Sequence, residues 1–146
     1  MKIGIANDHR GFKLKEYLKE NIKKYEIVDY GTDSEESIDY PDYAYKLAKA
    51  VVNNQVDCGI AICGSGIGMS IACNKVKGIR CARVVTLEDA KVTRIDNDAN
   101  IIALSGSINP EYALKVIETF ITTPASLDER HVRRRNKISE IEAKEG

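Results

Sequence analysis

The run Asp57-Cys-Gly-Ile-Ala-Ile-Cys63 carries no charge after its first residue and stops at Gly64-Ser65-Gly66-Ile67-Gly68. A short, continuous apolar run of this kind suits a central strand of a parallel sheet, covered on both faces. Parallel neighbours need crossover connections, so such a strand requires helices alternating with strands around it.

The rest of the chain supplies them. Lys2–Ala6 reads as a first strand. Phe12–Ile22 reads as a helix, with Phe12, Leu14, Tyr17, Leu18 and Ile22 near helical spacing. Tyr25–Tyr30 is a second strand, stopped by Gly31-Thr32, and Pro41 suits the first turn of a helix reaching about Val52. After the apolar run, Met69–Lys75 reads as a helix, Ile79–Val85 as a fourth strand and Leu87–Ile95 as a helix. Asn100–Leu104 is a fifth strand, and Pro110 opens a helix over Glu111–Ile121. The charge-rich tail from Leu127 to Lys144 spaces Val132, Ile138 and Ile141 for one apolar stripe. With no linker, repeat or low-complexity stretch, residues 1–146 are expected to form one α/β domain.

Lys+Arg and Asp+Glu both number 22, a net charge of zero that argues against nucleic-acid or membrane-surface partners. The apolar opening breaks at Asn7 and Asp8, too soon for a signal peptide, and no segment has the apolar length of a membrane span. A cytoplasmic protein is expected. Cysteines 58, 63, 73 and 81 lack paired metal spacing, so each thiol is packing or chemistry rather than a disulfide or a metal ligand.

Parallel sheets bind ligands outside the carboxyl ends of their strands. Asp8-His9, Cys63-Gly-Ser and Gly106-Ser107 all follow strands and fall there. Cys63 stands just before a helix, where unpaired N–H groups favour a thiolate or another anion. Gly64, Gly66 and Gly68 let the backbone approach a ligand closely, as a phosphate cradle or an anion hole. Their spacing matches neither the dinucleotide fingerprint nor a Walker loop. His9 can donate to a phosphate or sugar oxygen, and Asp8 can accept from a hydroxyl. Arg130 and Arg134, four apart, form a fork suited to a phosphate dianion. Each group also has a plainer reading. Cys63 can be a buried thiol beside an ordinary turn, Asp8 a helix cap, the arginines a solvated face, and Asp96 to Asn100 a chain reversal. Cys58, Cys73 and Cys81 are most simply core.

Taken together, Asp8-His9-Arg10-Gly11, Val28 to Thr32, Asp39-Tyr40-Pro41, Ile62 to Ala72 with Asn74-Lys75, Asn97 to Asn100, and Arg130-His131 with Arg134 resemble the ribose-5-phosphate isomerase type B family, which includes the galactose-6-phosphate isomerase subunits. The resemblance implies a Rossmann-like three-layer α/β/α sandwich, with a five-stranded parallel sheet and an extra C-terminal helix. It implies no cofactor, neither nucleotide nor metal. It also implies a homodimer or homotetramer whose active site is shared between subunits, and a sugar-phosphate substrate.

On that likeness Cys63 is the base that moves a proton between C1 and C2 of ribose 5-phosphate and ribulose 5-phosphate. The N–H groups from Gly64 through Gly66 and Ile67 to Gly68 hold the enediolate oxygen, and Ser65 assists proton transfer at the substrate oxygens. Asp8 and Tyr40 contact sugar hydroxyls, His9, Arg130 and Arg134 hold the phosphate, and Asn97 comes from the neighbouring subunit.

Two positions depart from the pattern. Asp96 stands where many members carry the histidine proposed to open the sugar ring, and a carboxylate ordinarily titrates lower than an imidazole. Ser107 stands where an arginine is usual after the fifth strand. These departures raise two alternatives: an isomerase of another sugar phosphate, such as a hexose 6-phosphate or tetrose phosphate, or a non-catalytic sugar-phosphate binder.

Overall fold

The computed structural model describes all of residues 1–146 and places the apolar run at the centre of a sheet. Five strands, β1 (Lys2–Asn7), β2 (Glu26–Asp29), β3 (Cys58–Cys63), β4 (Cys81–Arg83) and β5 (Ile101–Ser105), pair in the order β2-β1-β3-β5-β4, every pair parallel. Side chains alternate across β3. Ile60 and Ile62 enter one core layer with Leu14 and Leu18 of α1 (Phe12–Asn21), Ala90 of α4 (Leu87–Asn97) and Val116, Ile117 and Phe120 of α5 (Pro110–Thr122). Ala61 and Cys63 enter the other, against Ala44, Leu47 and Ala48 of α2 (Tyr40–Val52) and Met69 and Cys73 of α3 (Ile67–Cys73). Two apolar layers back to back are the reason β3 is apolar at every position rather than every second one. The expected three-layer sandwich is the architecture observed.

Several boundaries differ from the sequence reading. Helix α3 begins at Ile67 rather than Met69, because Gly66 takes the left-handed conformation (φ +79°) at its N-cap and turns the chain at once. It ends at Cys73, where the Asn74 amide bonds both the N–H and the carbonyl of Cys81 at 2.8 Å and ties the turn to β4. Strand β4 spans only Cys81–Arg83 of the expected Ile79–Val85, since it is an edge strand with β5 as its one partner. Helix α4 runs two residues past Ile95, to Asn97, and stops where Asp98 adopts φ +51°.

The C-terminal helix α6 (Glu129–Glu145) has no buried residue and lies against α4. No helix is long and apolar enough to cross a membrane. The chain runs from β1 outward to β2 on one side, and from β3 out to the edge strand β4 and back to β5 on the other. The switch point therefore lies between the carboxyl ends of β1 and β3, where such sheets form a crevice.

Candidate active site

Strands β1 and β3 end side by side at this crevice, and the Asp8 N–H donates to the Ile62 carbonyl at 3.1 Å. Asp8 Oδ1 accepts the N–H groups of Arg10 and Gly11 at 2.9 and 3.1 Å and caps a single 3-10 turn, His9–Gly11. The capping reading of Asp8 is thus realised, while Oδ2 makes no hydrogen bond within the chain. His9 Nδ1 accepts the Ile38 N–H at 3.3 Å, which places the ring proton on Nε2 as a donor.

The Cys63 side chain is 5% exposed, and the Gly66 N–H donates to its Sγ at 3.2 Å. A donor aimed at sulfur is worth more when the sulfur is a thiolate. Because α3 has only seven residues, its macrodipole is small, and this single N–H replaces the helix end invoked from the sequence. The turn is braced from β5: the Gly106 N–H donates to the Cys63 carbonyl at 2.8 Å and Ser105 Oγ to the Gly64 carbonyl at 2.7 Å. Ser65 is exposed, its Oγ accepting the Ile67 N–H at 3.1 Å, and its carbonyl accepts from Arg83 Nε at 2.9 Å. Tyr40 lies across Gly68 so closely that a Cβ there would sit 2.7 Å from the phenol ring. Asp8, His9, Tyr40, Cys63 and the turn from Gly64 to Gly68 thus gather at the carboxyl ends of β1 and β3.

The remaining candidates do not join them within one chain. Helix α4 runs back across the sheet and delivers Asp96 and Asn97 to the opposite end, four residues or more before β5 begins at Ile101. Strand β5 itself adds roughly 13 Å between Ile101 and Ser105, the residue that pairs with Cys63. Asp96 Oδ1 lies 3.5 Å from Nε2 of His131, whose buried Nδ1 has no partner. Arg135 donates to the carbonyls of Ile95 and Asp96, both at 3.4 Å, and to that of Ser126 at 2.7 Å, holding α6 against the end of α4. Arg130 and Arg134 are exposed on α6 and form no ion pair in the chain.

A cleft of about 390 Å³ adjoins the Cys63 turn, lined by His9, Arg10, Lys13, Glu35, Gly64, Gly106 and Ser107, none of them apolar. Sequence reasoning singled out neither Arg10 nor Lys13. The spacing of His9, Arg10 and Lys13 over the 3-10 turn and the first turn of α1 is the signal that could have found them. His131 was noticed only as part of a motif. The other thiols are packing groups: burial, then the neighbouring Asp57 carboxylate, pushes Cys58 up to about 11. A hydrogen bond with Cys73, together with burial, raises Cys81.

A family profile described as ribose/galactose isomerase matches residues 3–138. Among curated proteins, ribose-5-phosphate isomerase B of Escherichia coli is 38% identical over 144 residues, covering 97% of this chain and 96% of that protein. A solved structure of ribose-5-phosphate isomerase B from Clostridium thermocellum superimposes with a TM-score of 0.95 at 44% identity, covering 100% of both chains. That of ribose-5-phosphate isomerase B from Mycoplasma genitalium, with bound ribulose-5-phosphate, gives 0.90 at 36% identity, over 97% of this chain and 96% of the other.

Proposed function

This chain belongs to the ribose/galactose isomerase family, and from that premise we propose that it interconverts ribose 5-phosphate and ribulose 5-phosphate through an enediolate. The observation that carries the mechanism is the buried Cys63 Sγ, held by the Gly66 N–H at 3.2 Å beside an all-polar cleft. In the aldose-to-ketose direction the Cys63 thiolate takes the proton from C2 of the open-chain sugar, and the electron pair moves onto the C1 oxygen. The N–H groups of Gly64, Ser65 and Gly68 stabilise that charge, which is largest in the transition state, while those of Gly66 and Ile67 are held by Cys63 Sγ and Ser65 Oγ. The Ser65 hydroxyl relays the proton from the C2 oxygen to the C1 oxygen, and the Cys63 thiol returns its proton to C1. Asp8, through its free Oδ2, and Tyr40 hold sugar hydroxyls, and Nε2–H of His9 points to the phosphate end.

A neighbouring copy of the chain supplies the second half of the site: Asn97, the phosphate fork of Arg130 and Arg134, and the Asp96–His131 pair as the acid–base group for ring opening. Two features support this assembly. These residues sit at the far end of the sheet from Cys63, and nearby Leu127 and Ile141 are 89% and 61% exposed. The protein is then a homodimer, or a homotetramer built from such dimers, acting in the cytoplasm.

A turnover assay over a panel of sugar phosphates tests the reading. The highest kcat/KM is expected for ribose 5-phosphate, and a hexose 6-phosphate or tetrose phosphate exceeding it would overturn the assignment. Cys63→Ala is expected to lower kcat by at least about 10³-fold without unfolding the protein, since it removes a group acting only in the chemical step. Full activity in that variant would remove Cys63 as the base.

A further inference from the structure

The cleft beside Cys63 contains two cations, Arg10 and Lys13, that no ion pair neutralises, and His9 and Ser107 line the same cleft. We infer that Arg10 and Lys13 form the anion-binding wall of this chain's own half of the site, taking the phosphate of the sugar together with His9.

Arg10 lies within the capped His9–Gly11 turn, and its backbone is fixed by the bond from its own N–H to Asp8 Oδ1 at 2.9 Å. Its guanidinium folds back across the turn, and Nη1 would be 2.8 Å from a Cβ placed at Gly64. Gly64 therefore serves a purpose besides donating its N–H, since a Cβ there would push the guanidinium out of its present position. Lys13 stands one turn further on, three residues after Arg10, and faces the same cleft. The other two lysines of α1 are engaged: Lys15 with Asp29, and Lys19 with Asp29 and Glu16. Glu35 is the one carboxylate on the cleft wall, so the two cations leave the lining net positive with His9 neutral.

Arginine offers a planar fork to phosphate oxygens and lysine a mobile point charge, a pairing suited to a dianion whose far end reacts. Arg10 and Lys13 sit on the Gly64 and Gly106 side of the turn, while Ser65, Gly66 and Tyr40 sit on the α3 side. A phosphate held by the first group leaves the rest of an extended sugar chain to pass over Cys63.

The inference rests on the isomerase reading, and inorganic phosphate separates the two. Calorimetric titration of phosphate is expected to show binding to the wild-type protein. Arg10→Gln and Lys13→Met each weaken it at least about fivefold, since each removes a charge-assisted hydrogen bond. The KM for ribose 5-phosphate should rise by a similar factor, with kcat within about twofold of wild type. Gly64→Ala, which displaces the guanidinium while leaving every charge in place, should reproduce the Arg10→Gln loss. Arg10→Lys should restore part of it. Phosphate affinity unchanged in both Arg10→Gln and Lys13→Met, or a loss confined to kcat, would overturn the assignment. Phosphate binding that depends on both residues, in a protein that turns over no pentose phosphate, would uphold this subsite and remove the isomerase reading instead.

Discussion

Lys15 shows what a single residue can hide. It follows Leu14 in a helix written with four lysines and glutamates between Lys13 and Lys19, yet its side chain is fully buried. Its ammonium lies 3.0 Å from Asp29 Oδ2 and donates to the Thr32 carbonyl, fastening the loop whose Ile38 N–H holds His9. Lys15→Met leaves that carbonyl unpaired and Asp29 with one cation fewer, at a cost of about 3 kcal/mol, measurable as a lower urea midpoint. Asp29 makes the same contact pH-dependent. Burial pushes its carboxyl up, but the Gly31 N–H, Lys15 and Lys19 more than reverse this, so it titrates below its ordinary value. A lowered native value gives stability that is fully present above the ordinary value, about 3.9, and is lost as pH falls through the native one. Asp29→Asn is therefore expected to flatten the decline of stability below about pH 4; an acid limb as steep as wild type would count against it. Nothing in the linear sequence marked this pair, because the two residues belong to different elements and meet only when α1 packs beside β2.

At the scale of elements, the junction between β3 and α3 carries the proposed chemistry. The sequence placed a glycine-rich turn here and gave its helix a late start. Gly66 explains the error: at φ +79° it is both the last residue of the turn and the cap of the helix. A Cβ at Gly66 would also come within 3.1 Å of the Leu104 backbone and 3.3 Å of that of Ala103, in β5, where neither strand atom can give way. Gly66→Ala thus combines a left-handed alanine, costing about 1–2 kcal/mol, with a shift of the N–H that holds Cys63. Expected results are a Tm several degrees lower and a kcat reduced more than KM is raised. Gly68→Ala is the contrasting case. Its φ is ordinary and its Cβ meets the movable Tyr40 ring, so KM should rise while Tm stays near that of wild type. If the two variants behaved alike, the role given to the Gly66 N–H would fail.

At the scale of the whole molecule, the proposed site residues fall in two groups at opposite ends of one sheet. Cys63 lies in one group, and Asp96, Asn97 and the α6 arginines lie in the other. If a neighbour joins them, chains defective in different halves will complement. Cys63→Ala and Asn97→Ala proteins, each nearly inactive, are expected to recover activity when unfolded together and refolded as a mixture. Random pairing makes half the dimers mixed, each with one intact site of two, so recovery approaches about a quarter of the wild-type rate. Activity no higher than the mean of the separate proteins would mean that the halves do not meet between subunits.

The sequence by itself determined the layers, the parallel sheet and the place of Cys63 within it, because burial on one face or two is written into the local pattern of apolar residues. It also marked Asp8, His9 and the glycine turn, since each follows directly on a strand. It offered capping by Asp8 only as one of two readings, and it could not show that Lys15 is buried or that Arg10 lies across Gly64. Nor could it show that Asp96 faces His131 rather than Cys63 within the chain. Those facts depend on where separate elements come to rest and on α4 crossing the full height of the sheet, and only the packed structure fixes both.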